Sequence, residues 1–147
     1  KKMTKESLIW KRLNLIQKKQ KDWHLVRIES NTINGIPDVN ACINGLEFWI
    51  ELKANDAKNY GLSKYQINWH LKRHKCGGHS FILNRSLKHE AFELLEIREP
   101  GFPFPVSRFP DTESGLVKLI QEARARAALE FGSRFPFQVL DSKDLRI

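Results

Sequence analysis

The chain has 147 residues, of which 41% are hydrophobic and four are tryptophan, and it carries a formal net charge of +8. That length suits one domain with a sizeable core, and the apolar content argues against a disordered polymer. No apolar run approaches the roughly 20 residues that a bilayer span needs, and no signal peptide is visible behind Lys1-Lys2-Met3-Thr4.

Cys42 and Cys76 are too few for a disulfide framework. They read as reduced thiols in a cytoplasm, bacterial or, for a phage-encoded chain, that of the host. The charge is uneven. Residues 1–30 hold nine Lys/Arg against three Asp/Glu, residues 63–88 hold six Lys/Arg and no acid, and the stretches 31–62 and 89–147 each come to −2. Two basic blocks flanking a mildly acidic segment suit a phosphate-binding surface around a metal site, although a basic face made for solubility gives the same count.

In chain order, residues 5–21 read as a helix, with Leu8/Ile9, Leu13 and Ile16 at helical spacing and Thr4 as N-cap. Residues 24–30 alternate like a strand, and Asn34-Gly35-Ile36-Pro37 is a turn. Residues 38–43 and 46–54 form two strands joined by Asn44-Gly45, a strong hairpin signal. A polar loop over 55–62 leads to a helix over 63–75, opened by the capping-box pair Ser63 and Gln66 and ended by Gly77-Gly78. Residues 79–84 read as a strand. Residues 90–97 fit a strand or a short helix, with the strand preferred. The four prolines of 98–111 predict a loop, and 114–131 an amphipathic helix stopped by Gly132. The order is α/β, with a helix crossing over to a further strand. It divides into a core over residues 1–97 and an extension over 98–147.

The chemistry concentrates at Pro37-Asp38, then twelve residues, then Glu51-Leu52-Lys53. Glu51 and Lys53 are two apart on a strand, so both leave one face while Ile50 and Leu52 leave the other. The hairpin brings Asp38 beside Glu51. Two adjacent carboxylates repel, and a divalent cation resolves the conflict. Mg²⁺ takes one or two carboxylates plus waters, and the Leu52 carbonyl is a further candidate ligand. Such an ion polarises a phosphate and acidifies a bound water, with Lys53 placed to orient that water or neutralise charge. An ordinary exposed ion pair would also read Glu-x-Lys. Against it stand the Gly-x-Pro-Asp turn at hairpin distance, the apolar strand around the pair, and the basic flanks.

Gly35-Ile36-Pro37-Asp38, Glu51-Leu52-Lys53 and the Ser63…Gln66 helix resemble the PD-(D/E)xK nuclease superfamily. Within it they are most similar to virus-type replication-repair nucleases and to archaeal or phage Holliday-junction resolvases. The resemblance covers roughly residues 4–84. It implies a restriction-endonuclease-like core, a central mixed β-sheet flanked by helices, and phosphodiester hydrolysis dependent on Mg²⁺ or Mn²⁺. It implies that Asp38 and Glu51 hold the metal and that Lys53 is the catalytic lysine. It also implies a homodimer acting on branched DNA. Nothing after about residue 98 matches it.

The family usually adds an acid on the first helix. Glu6 fits, since it shares the face of Ile9 and Leu13, although an acid in a first helical turn is also favourable for the helix dipole alone. Gln66 matches a polar position of the family, and a capping box requires it independently. Lys72, Arg73 and Lys75, with Arg27 and Lys64 as weaker companions, are candidate DNA contacts or a solvated basic face. His70, His74, Cys76 and His79 cluster, but their spacing fits no common zinc site. Trp49 and Trp69 read as core or interface residues rather than base-stacking platforms. The helix over 114–131 can pack on its own domain or, held away by the prolines, on a second copy. Residues 130–133 also read as a cloning junction. Three readings follow: a structure-specific endonuclease, a nuclease acting on duplex, flaps or nicks, and a DNA-binding module that does not cut.

Overall fold

The computed structural model describes residues 4–30 and 32–134. Helix α1 (Lys5–Gln17) is followed by strands β1 (Trp23–Arg27), β2 (Val39–Ile43) and β3 (Leu46–Lys53). A short 3₁₀ turn (Lys58–Gly61) precedes α2 (Lys64–Lys75), and then come β4 (Ser80–Ser86), β5 (Ala91–Arg98), β6 (Phe102–Pro110) and α3 (Glu113–Arg134). The six strands form one sheet in chain order. All neighbours are antiparallel except β3 and β4, which α2 joins as a parallel pair. The result is the mixed sheet flanked by helices that the sequence implies. Among the described residues no helix is long and apolar enough to cross a membrane.

Alternation along β3 divides the molecule. Phe48, Ile50 and Leu52 enter the main core, where Ile9, Leu13 and Ile16 of α1 and Leu116, Leu119, Ile120, Ala123 and Ala127 of α3 cover the sheet. Trp49, Glu51 and Lys53 leave the other face. There α2 and the 3₁₀ turn cover only part of the sheet, with Ile67, Leu71, Tyr60 and Leu62 packing on Ile82, Leu95 and Ile97.

Several boundaries differ from expectation. Helix α1 stops at Gln17 rather than residue 21, where the backbone tightens into turns (Lys19 N–H to the Ile16 carbonyl, 2.9 Å; Gln20 N–H to the Gln17 carbonyl, 3.1 Å), and the Gln17 side chain ties the helix end to the edge strand β1: its Nε2 donates to the Leu25 carbonyl (3.1 Å), and its Oε1 accepts from the Leu25 N–H (2.8 Å). Strand β1 ends at Arg27 rather than residue 30. Helix α3 runs through Gly132 to Arg134, so that glycine is not a stop, and the suggested junction at 130–133 lies wholly within the helix. Residues 135–147 lie outside the described residues.

The largest correction is the loop expected over 98–111, most of which is strand β6. Pro103, Pro105 and Pro110 face Ile97, Leu95 and Ala91, alternate residues of β5, and the register shift at Leu94/Leu95 leaves Val106 as an extra residue that keeps all three in one phase. An edge strand tolerates proline where the missing N–H would point to solvent. The prolines therefore do not hold α3 away: it buries its apolar face on this chain's own sheet.

Candidate active site

Asp38 and Glu51 meet across the β2–β3 pair, one step beyond the partners Val39 and Ile50. The Asp38 carboxylate is fixed to β3 itself, its Oδ2 accepting from the Leu52 N–H at 2.9 Å. Glu51 is buried, 3% exposed. Its Oε2 accepts from Gln66 Nε2 at 3.2 Å, while its buried Oε1 has no hydrogen-bond partner among the described residues. Burial pushes the Glu51 carboxyl up to about 10, reinforced by the adjacent Asp38 carboxylate and, more weakly, by Glu6, against an opposing effect of Lys53. In the bare protein at neutral pH, Glu51 thus carries a proton where two ionised carboxylates would repel.

Gln66 fills both roles foreseen for it. Ser63 caps α2, with Ser63 Oγ accepting from the Gln66 N–H at 3.2 Å and Gln66 Oε1 accepting from the Ser63 N–H at 2.9 Å. The remaining amide nitrogen is then free for Glu51. Lys53, on the same face of β3, donates from Nζ to the Gly61 carbonyl at 3.3 Å.

Oxygen donors, one of them orphaned and buried, suit a hard divalent cation such as Mg²⁺ or Mn²⁺, which usually takes one or two carboxylates and keeps several waters. Among the described residues no three Asp, Glu, His or Cys side chains gather to hold a metal. Glu6 therefore does not complete a three-acid shell with Asp38 and Glu51, and its influence on Glu51 is through charge. Leu52 lies between the two acids, with its N–H committed to Asp38.

Among the basic residues, Arg27 donates to Ser7 Oγ (3.1 Å) in the first turn of α1, and Lys64 lies over its neighbour Tyr65. Lys72, Arg73 and Lys75 are exposed in the last turn of α2. Among the described residues none of these five has a carboxylate partner. The histidine cluster is buried in the fold: His70 Nδ1 meets Ser80 Oγ (2.7 Å), His74 Nε2 the Ser80 carbonyl (3.1 Å), and His79 Nδ1 Glu130 Oε2 (2.8 Å), while Cys76 is exposed.

Two supporting contacts were not foreseen by sequence reasoning. Gly35, at φ +84°, lies so close to α2 that a Cβ would come within 2.3 Å of the Tyr65 carbonyl oxygen. It presses the Pro37-Asp38 turn against the helix that carries Gln66. Asn55 ties the loop after Lys53, with Nδ2 donating to the Tyr60 carbonyl and Oδ1 accepting from the Ala57 N–H, both at 3.0 Å. The signals available were a glycine before Pro-Asp and an Asx-type turn, and neither announces its target.

The fold and the acid pair thus define an α/β protein with a candidate cation site at the edge of a β-hairpin. No protein-family model and no curated protein matches the chain. Among solved structures, Hjc, a Holliday junction resolvase from Archaeoglobus fulgidus, is similar at 14% identity with a TM-score of 0.44, over 67% of this chain and 87% of that one.

Proposed function

We propose that this chain is a metal-dependent DNA endonuclease hydrolysing phosphodiester bonds, with branched DNA such as a four-way junction as substrate. The observation that carries the reading is the buried Glu51 beside the half-buried Asp38, with Glu51 Oε1 unpartnered among the described residues and Lys53 one strand step away. In this reading Asp38 and Glu51 hold Mg²⁺ or Mn²⁺, with the Leu52 carbonyl as a further oxygen donor and Glu6 adding negative field. The cation supplies Lewis-acid polarisation of the phosphate and an acidified water. Gln66 keeps Glu51 oriented, and Asp38 is held by the Leu52 N–H. Lys53 sets a positive charge beside the scissile group, where it orients the attacking water or balances charge on the phosphate. Two basic segments of the chain supply the non-specific attraction for a polyanion. The junction preference and a homodimer placing two sites across it come from the sequence resemblance.

The test is cleavage of a labelled four-way junction beside a linear duplex of the same sequence, with and without Mg²⁺, by wild type and Lys53→Ala. Junction cutting by wild type alone, and only with the cation, is the expected result. Equal cutting of both DNAs would keep the nuclease and remove the junction preference. Binding without cutting would turn the reading to a non-cleaving module.

A further inference from the structure

Trp49 precedes Glu51 by two residues on β3 and leaves the same face, with the two Cα positions about 7 Å apart along the strand. On α2, Trp69 follows Gln66 by three residues and Arg73 follows Trp69 by four, so the helix presents Gln66, Trp69 and Arg73 in succession on one side. Gln66 touches Glu51, and Trp69 touches Trp49 edge to face at 5.4 Å between ring centroids. Strand and helix thus form two rails leading from the acids to a pair of half-buried indoles.

Arg73 closes the end of these rails. Its guanidinium lies 4.4 Å from the Trp69 ring centroid and 5.6 Å from that of Trp49. Gly78 makes the room, since a Cβ there would meet Arg73 Cδ at 2.4 Å. The residue is exposed, and among the described residues its guanidinium has no carboxylate partner. An open cavity of about 510 Å³ adjoins it, lined by Trp69, Lys72, Arg73, Cys76 and the Gly77-Gly78 turn. The cluster is apolar and aromatic beneath and cationic above, with no acid in its lining.

We propose that Trp49, Trp69 and Arg73 form a stacking platform for an unpaired nucleotide of the substrate strand, next to the phosphate held at Asp38 and Glu51. The inference rests on the nuclease reading and adds the substrate feature that is recognised. Planar π-faces and a guanidinium stacked on indole accept any base, and Lys72 and Lys75 take the flanking phosphates. A duplex offers phosphates but no free base face, so only an opened or branched strand engages both halves of the surface. The exposure of Arg73, the lack of acids among the described residues lining the adjoining cavity, and its continuity with the acid pair favour a nucleic-acid strand over a protein segment.

The test measures binding by fluorescence anisotropy, in EDTA so that cleavage does not intervene. Two DNAs of one sequence are compared, a full duplex and the same duplex with a short unpaired bulge. Trp69→Ala should weaken binding of the bulged DNA by on the order of 10-fold, as loss of one base stack predicts, and leave the duplex nearly unchanged. Trp69→Phe, which keeps a ring and guards against a folding failure, should retain most of the preference, whereas Arg73→Lys, which keeps only the charge, should lose part of it. Equal losses on both DNAs, or none on either, would overturn the platform while leaving the nuclease reading intact. A change from dimer to monomer in sedimentation of Trp69→Ala, with DNA preference unaltered, would overturn it by assigning the indoles to a contact between copies. Failure of the wild type to bind either DNA would overturn the platform, whereas the nuclease reading would fall only if cleavage with Mg²⁺ were also absent.

Discussion

Gln66 donates from Nε2 to Glu51 Oε2 at 3.2 Å while its Oε1 accepts from the Ser63 N–H at 2.9 Å, so one amide both closes the start of α2 and holds the buried acid of β3. The helix that crosses between the parallel strands thereby becomes part of the site. The capping reading and the active-site reading of this residue do not compete, because each uses a different end of the amide.

The two roles separate by mutation. Ser63→Ala removes only the cap hydroxyl and should cost about 1 kcal/mol of stability with cleavage retained. Gln66→Ala should cost a similar amount of stability and in addition lower cation affinity or cleavage by about 10–100-fold, the usual loss when a supporting partner of a metal ligand goes. Urea denaturation and Mg²⁺ titration of the two variants side by side read the difference. Equal behaviour of the two would reduce Gln66 to a capping residue.

Glu51 gives a pH dependence of definite sign. It keeps its proton in the fold up to about pH 10, and in the unfolded chain only to about 4.5. Between those values the folded state holds the extra proton, so stability falls as pH rises. Near pH 8 the loss is on the order of a few kcal/mol in the metal-free protein. Glu51→Gln should therefore raise the metal-free urea midpoint at about pH 8 and give little gain near 4.5. Mg²⁺ should raise the melting temperature of the wild type and not that of the variant. A metal-free midpoint unchanged by the substitution at high pH would show that the acid is not strained by its burial.

His70 works in the opposite direction. Burial, assisted by the neighbouring His74, lowers it from 6.5 to about 3. In that interval the unfolded chain holds the extra proton, so the stabilising contribution is complete above 6.5 and is lost as pH falls towards 3. From 4.5 to 6.5 the His70 slope opposes that of Glu51, and His74, also lowered by burial, adds to the His70 side, so metal-free wild-type stability should not fall with pH there. His70→Gln, which keeps an amide for Ser80 Oγ but cannot titrate, should be less stable overall, and between 4.5 and 6.5 its stability should fall with pH relative to that of the wild type. Urea midpoints across that range test the slope, and a variant with the wild-type profile would remove His70 from the account.

Gly35→Ala tests the contact that presses the Asp38 turn onto α2. The new Cβ meets the Tyr65 carbonyl oxygen at 2.3 Å and carbon at 2.4 Å, and the backbone at φ +84° disfavours any side chain. Backbone atoms of a capped helix cannot give way as a flexible side chain would. A loss of about 1–3 kcal/mol is expected, with weaker Mg²⁺ binding as Asp38 shifts. The same substitution at Gly45, also at positive φ (81°) but with nothing near its Cβ, should cost less. Similar losses at both positions would leave only the backbone conformation as the cause.

The central hairpin was legible because each signal was local. Asn44-Gly45 fixed the turn, alternation fixed which face Glu51 and Lys53 share, and together they set Asp38 opposite Glu51. Ser63 and Gln66 announced their own helix start. What stayed hidden depended on tertiary contact. Nothing in the sequence says that Gly35 abuts Tyr65, that Lys53 reaches the Gly61 carbonyl, or that Arg73 covers Trp49 and Trp69. Strand β6 was misread because proline density argues against a ladder unless the edge position and the bulge are both known. The buried glutamates Glu93 and Glu96 were likewise unremarked in the sequence; they are neutralised by Arg108 and Arg126 from β6 and α3, the two elements least expected to belong to the core.

The proline phase on β6 carries the last prediction. An edge strand with unpaired N–H groups invites another strand, and β6 also exposes Phe102 (65%) and Phe104 (39%). Pro103 and Pro105 remove donors at consecutive outward positions, and the bulge at Val106 restores the phase for Pro110. The double substitution Pro103→Thr, Pro105→Thr restores two outward N–H groups beside the exposed rings without touching the β5 side of the ladder. Its melting temperature should stay near that of the wild type, whereas light scattering should show concentration-dependent association beyond the wild type's own oligomeric state. Adding Phe104→Lys should reverse the association, since a charge on an open edge opposes strand addition. A double variant that remains as dispersed as the wild type would mean that the twist of the bulged strand, and not its missing donors, keeps this edge unpaired.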